Sequence, residues 1–276
     1  MKFLHDKITN GAFTLFSILI ALVTLTPISW ALAVSLKKEG FAISKEWDWF
    51  LPPYTLENYP DVILNSKVLV WFANSLLVSI IVTMIVIIFS SMAAFAISKL
   101  NFRYKKFIFA LFLAGIMVPR EATIIPLFVT VNNFNLIDTY AGLILPALAH
   151  SMNIIIMVSF FNSIPDALIE SVKIDGGGNF TIYSRILLPL VKTVLVTVSI
   201  FTFIGSWNSF LWPYLCALDD QIFTLPVGIP TFMGQYSVDY VKPMTANMVA
   251  SLPAIIIFLV FERYIVKGVT LSGIKM

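Results

Sequence analysis

The segment Ser163–Leu190, SIPDALIESVKIDGGGNFTIYSRILLPL, is a polar stretch in an otherwise apolar chain. Pro165 is a residue favoured at the start of a helix, Asp166 adds the negative charge favoured in a first turn, and three glycines from Gly176 end the pattern. These signals predict a helix of about eleven residues, roughly 16 Å long at 1.5 Å per residue. Crossing the about 30 Å apolar core of a bilayer needs about twice that length, so we expect this helix to lie outside the membrane.

At 100° per residue this helix has an apolar side and a charged side. The apolar side contains Leu168, Ile169 and Val172, and the charged side contains Asp166, Glu170 and Lys173. A short amphipathic helix between two membrane spans predicts docking against a partner in water. A second helical turn is expected through Phe180, Tyr183 and Ile186 to Pro189, where the chain returns to the membrane.

The composition is that of a polytopic membrane protein. Hydrophobic residues make up 59% and charged residues 12% of the 276 residues, against roughly 45–50% and 25% in soluble domains. The net charge of +3 is small and its basic residues are dispersed, which gives no support to a nucleic-acid partner. The single Cys216 excludes an internal disulfide, and His5 and His150 are too few and too separated for a histidine metal site.

Six apolar runs predict six transmembrane helices, so the expected fold is all-α. The runs are Ala12–Leu36, Val68–Ser98, one that begins at Phe107 and meets Pro119, Arg120 and Glu121, then Tyr140–Phe161, Val191–Trp212 and Met244–Val266. The first exceeds the apolar part of a cleaved signal peptide, which is the alternative for it. Lys37–Lys67, with Trp47 and Trp49, is expected to form short helices at the membrane surface. Ala122–Thr130 is expected to fold back along that surface.

Charge predicts the orientation, because basic residues are concentrated on the cytoplasmic side of membrane proteins. Placing both termini inside leaves twelve of the eighteen basic residues and only five of the fifteen acidic ones on the inner side. The twelve are Lys2, Lys7, Lys99, Arg103, Lys105, Lys106, Lys173, Arg185, Lys192, Arg263, Lys267 and Lys275. Both termini and the Ser163–Leu190 segment are therefore predicted to be cytoplasmic.

The same segment resembles the EAA loop in membrane subunits of binding-protein-dependent ABC importers. The resemblance rests on Glu170-Ser171-Val172, then Asp175-Gly176, Ile186, Leu188 and Pro189 at the spacing of that loop. Ser171 and Val172 stand where the family pattern has alanines. The resemblance implies a coupling helix in a cleft of a cytoplasmic ATPase. The residues it implies for coupling are Glu170, Ser171, Val172, Asp175, Gly176, Gly177, Leu188 and Pro189.

Further motifs are similar to the sugar-importer branch of the family, and specifically to the maltose-type second permease subunit. They are Asn74-Ser75-Leu76, Val118-Pro119, Ile125-Pro126-Leu127, Asp138-Thr139-Tyr140, Leu145-Pro146, Trp207 to Pro213, Thr224 to Gly228 and Tyr264 to Lys275. The resemblance implies a division into residues 1–67 (tail, first helix and extracellular segment), 68–266 (type-1 transmembrane core with the EAA loop at 163–190) and 267–276 (cytoplasmic tail).

Each candidate residue also has a structural interpretation. Glu170 could pair with Lys173 rather than with the ATPase, Gly176 could simply end the helix, and Gly177 and Gly178 could provide flexibility. Five residues are candidates for the substrate path: Asn74, Asn153, Trp207, Asn208 and Trp212. Aromatic residues at that depth are usually interface anchors, and asparagines often bond neighbouring helices. Arg120 and Glu121 could gate a pore or form a neutralised surface pair.

The sequence therefore predicts a pore-forming subunit of a bacterial ABC importer for a sugar or oligosaccharide, in the cytoplasmic membrane. Its implied partners are a second homologous permease, two ATPase subunits, an extracellular solute-binding protein and membrane lipid. The chain has no G-x-x-x-x-G-K-[ST] phosphate loop, so ATP and Mg²⁺ would be bound by the ATPase and no cofactor or metal by this chain. Alternatives are import of glycerol phosphate, a polyamine or an amino acid, a secondary transporter, and an intramembrane enzyme; the spans hold almost no ionisable groups for the last two.

Overall fold

The computed structural model describes residues 2–40, 48–233 and 239–273, with the backbone alone for residues 2–12 and 263–273. Every regular element in these ranges is helical, which confirms the predicted all-α fold. The α-helices are α1 (Lys2–Ser35), α2 (Asn58–Leu64), α3 (Val68–Lys99), α4 (Lys105–Met117), α5 (Ile124–Asn133), α6 (Tyr140–Ile144), α7 (Ser151–Asn162), α8 (Ala167–Ile174), α9 (Asn179–Thr181), α10 (Leu188–Leu190), α11 (Lys192–Trp207), α12 (Leu211–Cys216), α13 (Leu225–Gly228) and α14 (Val241–Gly273).

Three continuous helical stretches are long and apolar enough to cross a membrane: Phe13–Ser35 in α1, all of α3, and Val241–Glu262 in α14. Three bent pairs of helices pass the same test together. They are Lys105–Met117 with Glu121–Asn133, Tyr140–Leu148 with Ser151–Asn162, and Asn179–Leu190 with Lys192–Trp207, bent by 93°, 42° and 79°. Counting each bent pair as one span gives the six spans that the sequence predicts.

The breaks follow local chemistry. The 93° bend comes after Pro119, where the sequence predicts that the chain folds back. The predicted fourth span is interrupted around Pro146, whose ring removes a backbone donor and starts a short 3₁₀ turn. The predicted fifth span is too long, because α11 ends at Trp207 and α12 begins only at Leu211.

One compact unit contains α1, α2 and the first part of α14. The predicted surface segment forms a 3₁₀ turn at Asp48–Phe50 and the short helix α2, while Trp47 lies outside the described residues. The Asn58 amide donates to the carbonyls of Ser35 and Lys37 at 2.8 and 2.6 Å. These bonds tie the start of α2 to the end of α1.

The second unit contains the region from Val70 to Val227 and the rest of α14. Its main apolar cluster joins α3, α7, α11 and the segment between α7 and α11. Phe161 and Leu187 are fully buried there, and Ile169 and Ile182 contribute from the polar segment itself. The segment Ser163–Leu190 is thus packed through its apolar side chains against the transmembrane helices.

Candidate functional site

Helix α8 is the predicted amphipathic helix, in a shorter form. It has eight residues and begins at Ala167, two residues after Pro165. Ile169 is 6% exposed and Val172 packs beside it, as predicted. Leu168, predicted on the same side, is 44% exposed, because it lies 100° around the helix from Ile169.

The glycines end α8 with a Schellman motif. Gly176 has a φ of +78°, and the N–H of Gly177 donates to the carbonyl of Val172 at 2.8 Å. The N–H of Gly176 donates to Lys173 at 3.0 Å, completing the pair of bonds that this motif requires. A Cβ on Gly177 would lie 2.5 Å from Val172 Cγ1 and 2.9 Å from the Val172 carbonyl oxygen, so this glycine allows close packing rather than the predicted flexibility.

The second half of the loop returns the chain to the transmembrane helices. It runs through α9, a π-helical turn at Ile182–Leu187 and α10 to the 79° bend before α11. The π-helical turn lies just before Pro189, which cannot donate a backbone hydrogen bond and crowds the preceding turn of helix. Leu188 is half-buried and Pro189 is exposed. The 79° bend thus follows directly after Pro189, where the sequence predicts the return to the membrane.

One side of the loop is exposed. Glu170, Ser171 and Asp175 are exposed, and Glu170 forms no ion pair with Lys173. Large apolar side chains lie exposed on the same loop: Ile174 at 85% and Phe180 at 78%. An exposed surface that mixes apolar and charged groups is typical of a docking site.

Lys99, which in the sequence indicates only the orientation of the chain, contacts this loop in the structure. Its Nζ lies 2.7 Å from Asp166 Oδ1 and donates at 2.7 Å to the carbonyl of Ile164. The Lys99 side chain is 4% exposed and that of Asp166 is 75% exposed. The hydrogen bond from Lys99 and its positive charge hold the pKa of the Asp166 carboxyl below its usual value.

Three of the five substrate-path candidates are buried and bonded within the protein. The Asn74 amide donates to the carbonyls of Gln221 and Phe223 at 2.7 and 2.9 Å, and its oxygen accepts from the Tyr140 hydroxyl at 2.7 Å. Asn153 donates to Thr202 Oγ1 at 2.9 Å. The structural interpretation, bonding between neighbouring segments, therefore describes both asparagines.

The three remaining candidates differ in how accessible their side chains are. Trp207 is 3% exposed and its ring packs against Phe72 and Phe203, with centroids 5.4 and 5.8 Å apart. Trp212 is half-buried, donates to the Gly142 carbonyl at 3.0 Å and lines a cavity of about 780 Å³. Asn208 is exposed at the end of α11. Trp212 and Asn208 are thus the two candidates whose surfaces are accessible.

The same cavity is lined by Arg120, whose Nη2 lies 3.1 Å from Nδ1 of His150. Arg120 and Glu121 form no ion pair with each other, so the predicted neutralised pair is absent from this part of the described structure. Across the described ranges no three His, Cys, Asp or Glu side chains come together as a metal site.

Comparison with known proteins identifies the family. Residues 86–271 match the model for "Binding-protein-dependent transport system inner membrane component". The arabinooligosaccharides transport system permease protein AraQ of Bacillus subtilis is 32% identical over 96% of this chain and 95% of AraQ. The trehalose/maltose transport system permease protein MalG of Thermococcus litoralis is 29% identical over 94% of each chain.

A solved structure shares the fold. It is the crystal structure of a bacterial ABC transporter involved in the import of the acidic polysaccharide alginate, with a TM-score of 0.84, 21% identity, and coverage of 94% of this chain and 97% of the other. The family match spans the segment Ser163–Leu190 and the helices that hold it. This multi-pass membrane protein therefore belongs to the family of inner-membrane components of binding-protein-dependent transport systems.

Proposed function

We propose that this chain is one of two pore-forming permease subunits of an ABC importer for a sugar or oligosaccharide. The observation that carries the proposal is the segment Ser163–Leu190, which we call the coupling loop; it is packed on one side and exposes Glu170, Ile174 and Phe180 on the other. Relatives named for arabinooligosaccharides, for diacetylchitobiose and for trehalose and maltose support the substrate class. The chain itself supplies the path and the coupling element, and it performs no covalent chemistry.

In the proposed complex a second homologous permease completes the pore, and each permease presents a coupling loop to one of two ATPase subunits. ATP and Mg²⁺ are bound by the ATPases, and an extracellular solute-binding protein delivers the solute. Closure of the ATPases on ATP brings the two coupling helices together and turns the pore from inward-open to outward-open. Hydrolysis then resets the cycle.

The residues of the loop have separate proposed roles. Glu170 contacts a basic residue of the ATPase, because its carboxylate is exposed and forms no ion pair with any side chain that the structure describes. Ser171 and Asp175 flank it on the exposed side, and Val172 anchors the opposite side. Gly176 and Gly177 set the turn, and Leu188 and Pro189 form the return to the membrane.

The proposed orientation places both termini and the coupling loop in the cytoplasm, where ATP is available, following the distribution of basic residues. The proposed organisation assigns residues 1–67 to a tail, first helix and extracellular segment, 68–266 to the transmembrane core and 267–276 to a cytoplasmic tail. The backbone of that tail is helical as far as Gly273.

Along the substrate path, Trp212 and Asn208 are the proposed contacts, since an indole face packs on sugar C–H groups and an amide bonds hydroxyls. Asn74, Asn153 and Trp207 are proposed to support the path from behind, because their groups are already bonded or packed.

The test is a pull-down of the membrane-extracted complex, with solute uptake measured in the same cells. Wild type is compared with Glu170→Ala and Gly176→Val, and Gly178→Ala serves as the matched control because open space surrounds that glycine. We expect the wild type and the control to capture an ATPase subunit and take up sugar, and the two variants to lose both. Uptake without any captured ATPase in the wild type would overturn the proposal.

A further inference from the structure

One stripe of α3 contacts both halves of the coupling loop. Ser91, Phe95 and Lys99 are spaced four residues apart, so they lie along one face of this helix. We call these three residues the α3 stripe. All three are buried or nearly so, although the helix that carries them ends at Lys99.

Lys99 holds the first half of the loop. Its ammonium group contacts Asp166 Oδ1 and the carbonyl of Ile164, both at 2.7 Å. A buried ammonium group is costly unless acceptors surround it, so these two acceptors fix where its side chain ends. Because both belong to the three residues before Ala167, the contact fixes the beginning of α8.

Ser91 and Phe95 hold the second half. Ser91 Oγ lies 2.7 Å from the hydroxyl oxygen of Tyr183, and the rings of Phe95 and Tyr183 have centroids 5.5 Å apart. Tyr183 belongs to the π-helical turn Ile182–Leu187, on the other side of the glycines. The two attachment points are separated by eight residues of α3, about 12 Å along its axis.

Two separated attachments prevent the loop from pivoting about either one, and the apolar packing of Ile164, Ile169 and Ile182 opposes rotation about the line that joins the two attachments. Neither half of the loop is close to α3 in sequence: Lys99 and Ile164 are 65 residues apart, and Ser91 and Tyr183 are 92 apart. From this geometry we infer that the α3 stripe makes α3 and the coupling loop one rigid body, so that a displacement of the loop by a partner displaces α3 directly. Ser91, Phe95 and Lys99 are then positioning residues for coupling, an inference that rests on the proposed function.

The functional test uses the complete complex, purified and reconstituted with its ATPase and binding protein, and measures sugar taken up per ATP hydrolysed. We expect Lys99→Met to capture the ATPase normally and to hydrolyse ATP, while uptake per ATP falls by about fivefold or more, as for loss of coupling between sites. Lys99→Arg keeps the charge and should restore most of the ratio. Lys106→Met removes an exposed lysine of the next helix and should leave the ratio unchanged.

A proportional fall of uptake, ATP hydrolysis and captured ATPase in Lys99→Met would show a folding role alone and would overturn the inference. So would an unchanged ratio in the double variant Lys99→Met with Tyr183→Phe. If the wild type captures no ATPase, the proposed function fails instead.

A second measurement tests rigidity without transport. Spin labels at Met92 and Lys173, introduced as cysteines with Cys216→Ala, report the distance between α3 and α8. We expect a narrow distribution of distances with Lys99 present and a distinctly broader one with Lys99→Met. Equal widths would overturn the inference whatever the importer transports.

Discussion

The two ends of α3 hold their neighbours in different ways. Near its start, Trp71, Asn74 and Ser75 bond backbone groups of residues 220–225: the indole donates to the carbonyl of Asp220 at 2.9 Å, and Ser75 Oγ accepts from the N–H of Leu225 at 2.8 Å, while the Asn74 side-chain oxygen also accepts from the Tyr140 hydroxyl. Near its end, the α3 stripe contacts mainly the side chains of Asp166 and Tyr183.

The residues that make the contacts at the start of α3 are buried, whereas the loop held at its end keeps one side exposed. The hydrogen bonds at the start of α3 fix the backbone path of residues 220–225. The Asn74 amide donates twice to this backbone and is 5% exposed. At the other end the loop is held by one side, and its other side keeps charged and apolar groups exposed. We expect mutations at the first end to affect folding, mutations of the α3 stripe to affect coupling, and mutations on the exposed side of the loop to affect assembly.

The largest effect, on the free energy of unfolding, is expected at the start of α3. Asn74→Ala removes both donors to the 220–225 backbone and the acceptor for Tyr140. Leaving several buried polar groups unpaired should lower the free energy of unfolding by about 3 kcal/mol. Thermal unfolding of the purified protein in detergent measures the loss. Asn208→Ala, at an exposed position, is the matched control and should melt like the wild type; equal melting of all three would contradict the assignment.

The turn of the coupling loop should show the next largest effect. Gly177→Ala places a Cβ against the backbone carbonyl of Val172, so the end of α8 must shift at a cost of about 2 kcal/mol. Capture of the ATPase and sugar uptake should both fall. Gly178→Ala meets open space and should behave as the wild type. If Gly177→Ala and Gly178→Ala are indistinguishable, the end of α8 can shift without loss of ATPase capture or uptake, which would contradict this prediction.

Truncation of the exposed apolar side chains should affect binding and spare the fold. Ile174→Ala and Phe180→Ala remove groups that are 85% and 78% exposed, so unfolding should change by no more than about 0.5 kcal/mol. If they are anchors for the ATPase, its affinity for the permease should fall by about tenfold, a change within the range of interface truncations. Titration of detergent-purified permease with ATPase measures this; unchanged affinity would place the interface elsewhere on the loop.

The smallest effect concerns pH. Because Lys99 lowers the pKa of Asp166 from its usual 3.8, the ion pair stabilises the fold above that value and loses its contribution as pH falls through the lowered pKa. The difference in melting temperature between wild type and Asp166→Asn should be constant above about pH 5 and shrink below about pH 4. If the difference in melting temperature persists at the lowest pH, the charge of Asp166 is not its cause.

Local signals in the sequence predicted local structure well. The apolar runs predict the spans, and the glycines after Asp175 predict where α8 ends. Prolines mark two of the breaks, although the break at Pro146 was not expected from the sequence. Leu168 shows the limit of this kind of prediction. A helical pattern identifies the apolar face of a helix but not which residues at the edge of that face are buried.

Tertiary contacts were not predictable in the same way. Asn74 and Asn153 are as polar as any pore residue, and only their partners, 147 and 49 residues away, show that they bond neighbouring segments. Lys99 contributed a charge to the prediction of orientation, while its acceptors lie 65 and 67 residues further along the chain. The spacing of Ser91, Phe95 and Lys99 was visible, but nothing local distinguishes it from any buried helix face.

The Schellman motif at Gly176 and Gly177 also bears on how such subunits diversify. The turn is defined by six consecutive residues, from Val172 to Gly177, that bond one another rather than the membrane helices. Under the proposed function, side chains along the spans can differ from one solute to another while this short sequence, and so the shape offered to the ATPase, stays the same. Permeases with different solutes could therefore inherit one ATPase, and chimaeras that exchange spans while keeping this hexapeptide should still recruit it.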